Sequence, residues 1–521
     1  SGYSSNTDFI LNGNKKINDF DIDGLFGGTI YYTQDEGIEA RSQGGLSVPG
    51  FYSLKASVTN AVVNSSVYKR QVNSFYGRLA GSWKGMAFLE GTLRKDWSST
   101  LPESTRSYLY PSVSGSFLVS EVLPKFDWLT LWKLRGSWTS SKTPAGVYDI
   151  NSVYNITTNS WGGLNSASYP DVIRGNEVRP ESASTWEMGT AANLFKKRLS
   201  FDFTYYSKRM YDFLTATNVS SASGFSSNYI NIDQEITRRG VELTLNFTPI
   251  KTSDWQWDVM ANWSKYARYY TKLDKEFSAD RPWVKVGNRV DAFVLNDFQK
   301  SVNGAVIYEN GLPVYSPYES VYGYGDPDWI WGLTSSLCYK NFTLNISVDG
   351  RVGGLAQTTT EMYMWQSGNH PDSVNDIRYK DITTGTSNYV GDGVKVISGA
   401  VTYNAYGNIT SDTRQYASND VPVTYENYVK RIHKGTAWGG NSSPADTYST
   451  TFLKLREVSL TYSVPKSVYS FIKAKNATVS AIGQNLFLWA KDFKYSDPDG
   501  GVDNFSDPSQ RFVGCNIKLE F

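Results

Sequence analysis

The residue types that carry most enzymatic chemistry are sparse in this chain. Its 521 residues include two histidines, His370 and His433, and two cysteines, Cys338 and Cys515. The histidines are too far apart in sequence to form a local metal or triad motif, and both fall in the longest loop, so they read as surface polar side chains. No nucleophile elbow, zinc-protease helix or phosphate loop is present. Fifty carboxylates will include chance pairs, but a glycosidase acid and base need a fixed separation that no motif supplies. The stretch Asp497-Pro-Asp499-Gly-Gly-Val-Asp503 resembles half of a calcium-binding loop but lacks the bidentate Glu that completes one, and it reads as a Pro/Gly turn. These residues predict no catalytic centre, no metal and no cofactor; the chain reads as a protein that is not an enzyme.

Contact chemistry is better represented. Aromatic rings recur in the long loops: Trp161 in an SWGG turn, and Tyr363, Trp365, Tyr403, Tyr406 and Trp438 between 353 and 450. Flat aromatic faces stack on sugar rings or hold peptide side chains at low entropic cost. The alternative is that these rings pack the loops on one another or on a partner. A second set, Trp83, Trp97, Trp132, Trp255, Trp329 and Trp489, with Trp138, Trp257 and Trp331, lies close to the ends of extended segments. That is where the aromatic girdle of a membrane barrel belongs.

The elements that must position these rings are strands. Aromatics make up 15% of the chain, Gly, Ser, Thr and Asn are abundant, and period-two alternation recurs throughout. Val241, Leu243, Leu245 and Phe247 interleave with Glu242, Thr244, Asn246 and Thr248; Phe342, Leu344, Ile346 and Val348 do the same with Thr343, Asn345, Ser347 and Asp349. The alternation predicts about fifteen strands, at 1–11, 20–33, 68–83, 86–96, 107–121, 129–139, 183–195, 198–209, 228–248, 254–271, 328–339, 342–352, 451–463, 475–490 and 510–521. Short connections, beginning with GNKKIND from position 13, alternate strictly with long ones. The long ones are 34–67, 97–106, 140–182, 210–227, 272–327, 353–450 and 491–509. Tight turns at one end and long loops at the other are the habit of an up-and-down transmembrane barrel. A mean hydropathy of −0.40 is compatible with this, because only every second residue of such a wall meets lipid. No apolar run is long enough for a transmembrane helix. The net charge of +1 leaves no footprint for nucleic acid.

The final stretch, Arg511 to Phe521, places Val513, Cys515, Ile517, Leu519 and Phe521 on one face, with Phe521 expected at the periplasmic rim as a C-terminal barrel signature. The same alternation points Cys515 to lipid and Cys338 to the lumen as free thiols. Single-chain bacterial barrels have even strand numbers, and fifteen is odd. The expectation is therefore an incomplete wall, with the edge of 511–521 not paired to 1–11. No signal peptide is recognisable at the start.

Several segments resemble one family, the SusC/RagA-like TonB-dependent transporters of the Bacteroidetes outer membrane. They are GGLSVPGFYSLKAS (44–57), RSYLYPSVSGSF (106–117), LRGSW (134–138), RPESASTWEMG (179–189), RRGVELTLNFTPI (238–250), FLKLREVSLTYSVP (452–465), GQNLFLWAK (483–491), SDPDGG (496–501) and the terminal Phe. The resemblance implies an all-β antiparallel barrel of about 22 strands, of which 1–521 would be the C-terminal portion, without the plug domain. It further implies import of oligosaccharides or peptides across the outer membrane. The implied partners are a SusD-like surface lipoprotein acting as a lid and TonB acting through a missing N-terminal part. Two other readings stay open: a secreted, soluble β-rich glycan-binding protein or hydrolase, and a passive porin. The discriminating feature is whether Val513, Ile517, Leu519, Phe342, Leu344 and Val241 face lipid.

Overall fold

Segments with one apolar face are stable as strands only where neighbours pair with them on both edges. In the computed structural model of the chain, which describes residues 2–433, 443–500, 503 and 509–521, fifteen of them form a single sheet, and the thirteen inner ones are paired on both edges. In order they are β1 (Gly2–Ile17), β2 (Phe20–Leu46), β3 (Ser57–Trp83), β4 (Ala87–Ser98) and β5 (Ser107–Leu118). There follow β6 (Leu129–Thr143), β7 (Glu181–Leu194), β8 (Leu199–Tyr211), β9 (Glu235–Lys251) and β10 (Trp255–Lys272). The sheet ends with β11 (Trp329–Tyr339), β12 (Phe342–Val352), β13 (Phe452–Ser463), β14 (Asn476–Ala490) and β15 (Phe512–Glu520). Each strand pairs antiparallel with the next, so the sheet is an up-and-down meander. β1 and β15 form its two edges and are not paired with each other among the described residues, as the odd strand count leads one to expect.

Register keeps one face mostly apolar, as the middle of β11 to β13 shows. Phe342, Leu344, Ile346 and Val348 of β12 stand opposite Tyr339, Leu337, Ser335 and Leu333 of β11, and opposite Tyr462, Leu460, Val458 and Leu455 of β13. On β13 the outward residues switch from odd to even numbers. A bulge at Arg456 absorbs the change, because without the extra residue Val458 and Leu460 would turn inward. Val513, Cys515 and Ile517 lie on the same outward face, and Val513 is 79% exposed. Cys338 pairs with Gln256 and Thr343 on the other face.

That inner face is polar and charged. Arg78 bridges Asp23 and Glu90, and Arg135 grips Asp202 while also bonding Thr204. Inward residues of β2 to β7, including Asp23, Arg78, Glu90, Arg135 and Glu187, line a concavity of about 850 Å³.

The structure corrects several expected boundaries. Residues 13–17 belong to β1, and only Asn18 and Asp19, Asn18 with φ 52°, turn the chain into β2. The expected long loop 34–67 is largely paired strand, with β2 and β3 in register from Phe20↔Trp83 to Arg41↔Val62 and paired on through two register shifts to Leu46↔Ser57. Its residues alternate poorly because a ribbon standing clear of the sheet has no face to bury. The expected strand 228–248 divides into Ser227–Ile232, which pairs with Phe213–Asn218, and β9.

The tryptophans near strand ends fall in two bands. Trp83, Trp132 and Trp255 sit toward the short-turn end, and Trp97, Trp329 and Trp489 toward the long-loop end. Trp255 stacks on Tyr339 at 4.2 Å, and Trp132 donates to Thr190 Oγ1 at 3.1 Å.

Val458→Arg, on the apolar outer face at mid-strand, should cost about 2–4 kcal/mol, whereas Ser336→Arg on the inner face should cost less than half as much. Urea unfolding of the protein inserted in lipid vesicles measures both; equal losses would overturn the assignment of faces.

Candidate functional site

Within 353–450 the described residues form a folded body rather than an open loop. Its helices are α1 (Thr359–Gln366), α2 (Asp376–Thr384) and α3 (Tyr425–Ile432). Each is short, so each depends on its caps. The Asp503 carboxylate, from the last long loop, accepts from Thr360 N at 3.2 Å and Thr360 Oγ1 at 2.7 Å at the start of α1. Asn375 Oδ1 accepts from Arg378 N at 2.9 Å for α2. Thr424 Oγ1 accepts from Asn427 N at 3.2 Å for α3. Gly385, with φ 67°, closes α2 in the left-handed conformation a side chain would resist.

At the centre lies Trp365, with an imidazole on each face. The His370 ring stacks at 4.0 Å and 10°, and the His433 ring at 4.6 Å and 7°. Both histidines are buried, at 1% and 4% exposure, which corrects the expectation of surface polar residues. His370 Nδ1 accepts the Asp372 amide at 3.1 Å, which leaves the proton on Nε2 to be donated to Glu361 at 3.1 Å. His433 Nδ1 lies 2.7 Å from Asp446 Oδ1, and its carbonyl accepts from Gln366. Tyr315 Oη donates to the Arg431 carbonyl at 2.9 Å, and burial pushes that phenol up to about 12. Burial also raises the Glu361 carboxyl above the usual range, partly offset by the His370 hydrogen bond.

A second cluster fastens the last long loop to the wall. Lys454 of β13, 1% exposed, reaches Asp497 at 2.6 Å and Ser509 at 2.5 Å. Arg456 forks onto Asp349 at 2.7 and 2.9 Å and bonds Asp499 at 2.5 Å. A buried ammonium persists only where carboxylates compensate its desolvation. Asp497 and Asp499 thus serve as counter-ions to wall cations, while Asp503 caps a helix.

The candidate contact aromatics do not converge on one spot. Trp161, 83% exposed, tips a separate hairpin formed by Asn155–Trp161 and Leu164–Ser168. Trp365 has both faces covered and presents an edge to a cleft of about 290 Å³ between the three helices, lined also by Arg378, Asp381, Tyr425 and Lys430. Tyr363 lies half-buried on α1. Tyr403 packs on Tyr318 at 5.3 Å, and nearby Tyr406 donates to Asp280 at 3.1 Å. Trp438 lies outside the described residues. The histidine pair, the Asp503 cap and the Lys454 cluster were missed from sequence because each joins residues far apart in the chain that share no motif.

Glu361 has a higher affinity for its proton folded than unfolded, so its contribution to stability is complete below the unfolded value of about 4.3 and is lost as pH rises through the raised folded value. Glu361→Gln stays neutral, and should therefore gain stability relative to the parent between pH 4 and pH 7. Thermal melts of the full-length protein at the two pH values test this, and a constant or reversed difference would count against it.

The TonB dependent receptor-like β-barrel family matches residues 1–293. TonB-dependent receptor P26 of Formosa agariphila is 23% identical over 551 residues, covering 96% of this chain and 51% of that protein. TonB-dependent receptor SusC of Bacteroides thetaiotaomicron is 23% identical over 546 residues, covering 97% and 48%. The chain spans about half the length of these curated relatives. In fold it is similar to the RagAB peptide transporter, with a TM-score of 0.74 at 18% identity over 100% of this chain and 56% of that one.

Proposed function

The chain belongs to the TonB dependent receptor-like β-barrel family, whose members are proteins of the outer membrane, and on that premise we propose that it forms the C-terminal part of the wall and loop body of an active importer. The observation that carries this reading is the fifteen-strand meander, apolar outside and charged inside, with a folded body built on its long-loop end. An apolar outer face as continuous as this one is stable against lipid and a liability in water, which disfavours the secreted soluble reading.

In this proposal further strands complete the wall between β1 and β15, and TonB acts through residues outside these 521. Oligosaccharides or peptides are the solutes. A SusD-like lipoprotein covers the loop body, with Trp161, Tyr363, the edge of Trp365, Tyr403, Tyr406 and Trp438 as candidate contacts to lid or solute. Trp83, Trp97, Trp132, Trp255, Trp329 and Trp489 form the interfacial girdle, and Phe521 marks the periplasmic rim. The wall makes and breaks no bond in its solute; lid opening is a hinge-type population shift.

Deleting the gene in its native host and measuring growth on defined peptides and oligosaccharides tests the proposal. Loss of growth on one class, restored by the full-length gene, is the expected result. Unchanged growth on both classes, or recovery of the protein as a monodisperse species without detergent, would overturn it.

A further inference from the structure

Three adjacent strands place three cations in one row. Lys208 of β8 stands directly opposite Arg238 of β9, and Arg238 directly opposite Arg268 of β10. Like charges opposed across strands repel, so the row is stable only with something to answer it. Arg268 has a partner, Asp326, at 2.9 Å. Two inward carboxylates of β7 and β9 lie in other rows. Glu187 is opposite Tyr206 in the next row, and Glu242 is two same-face positions below Arg238, roughly 13 Å along a strand.

The next row is built to hold the central guanidinium. Tyr206, Gly240 and Tyr266 are directly opposite one another. A Cβ on Gly240 would sit 2.5 Å from Tyr206 Oη, so glycine is what lets the Tyr206 ring lie across β9. Arg238 stacks over Tyr266 at 3.8 Å and lies 5.8 Å from the Tyr206 ring, and its buried Nε has no hydrogen-bond partner. Stacking thus fixes the plane of the guanidinium without neutralising its charge. The row occupies the long-loop ends of β8, β9 and β10.

From this geometry we infer that Lys208 and Arg238, braced by Tyr206 and Tyr266, form an oxyanion-recognition site on the inner wall that selects solutes bearing carboxylate or sulfate groups. The inference rests on the importer reading and gives its solute a chemical class. Lys208 supplies a mobile point charge and Arg238 an oriented planar donor, a combination suited to a flexible acidic chain entering from the loop side.

The test is equilibrium binding to the full-length protein in detergent of two matched pairs: hexaglutamate against hexaglutamine, and sulfated maltohexaose against maltohexaose. At least one anionic member should bind about ten-fold more tightly than its neutral partner, the scale of one charge-assisted hydrogen bond, and the pair that responds separates carboxylate from sulfate recognition. Arg238→Gln and Lys208→Gln should each reduce that ratio, and raising salt from 50 to 500 mM should shrink it. Arg238→Lys, which keeps the charge, should retain part of it, showing that the loss is not one of folding. Equal binding within both pairs, no binding by any probe, or a preference that survives both glutamine variants overturns the site. A charge preference dependent on Arg238 in a protein whose deletion leaves growth unchanged would keep the site and sink the importer reading.

Discussion

The structure depends on a ladder of backbone hydrogen bonds carried from β1 to β15, whose register shifts only at a few bulges. In hydrocarbon no water is available to an unpaired amide, so a wall strand must be satisfied by its neighbours. Register then decides which side chains meet lipid, because a slip of one residue turns every side chain over. The bulge at Arg456 shows the constraint at work: one residue is left out of the ladder so that Leu455 and Val458 can share a face. The inner face inherits the remaining positions, and for that reason arginines and carboxylates pair across strands there.

Above the wall the rules change. The loop body has only short ladders, such as Val394–Ser398 with Gln415–Ser418, and is held also by side chains that reach across long stretches of sequence. Asp503 starts α1, α1 carries Glu361 and Trp365, and Trp365 gathers His370 and His433. The last long loop is in turn fastened to β12 and β13 by Lys454 and Arg456. Asp497, Asp499 and Asp503 of one loop thus touch both the wall and the body.

This division explains what was legible in the sequence. Where a strand has lipid on one side and a polar lumen on the other, alternation is enforced and visible, as at Phe342 to Val348 or Val241 to Phe247. Tight turns such as Lys84-Gly85 announced themselves by residue type, and Lys84 and Gly85 both adopt positive φ. Where neither face meets lipid the pattern faded, so the upper parts of β2 and β3 were read as loop. The described helices of 353–450 are only eight or nine residues long, too short for periodicity to set them apart; α2 and α3 carry local caps, whereas α1 takes its cap from the distant Asp503. The histidines were the plainest failure, since nothing near either one in sequence indicates burial against a shared indole.

The ribbon formed by β2 and β3 has one more consequence. Its pairing continues eleven residues past Asp35, the last residue of β2 opposite β1, to Leu46, a reach of roughly 35 Å at strand rise. Over that length each strand has a single neighbour among the described residues, and charges at Glu36, Glu39 and Arg41 guard its margins. Such a ribbon is held by its own ladder rather than by the wall, so neither lipid nor lumen fixes which of its faces is polar, and its sequence is freer to vary than that of the strands below it.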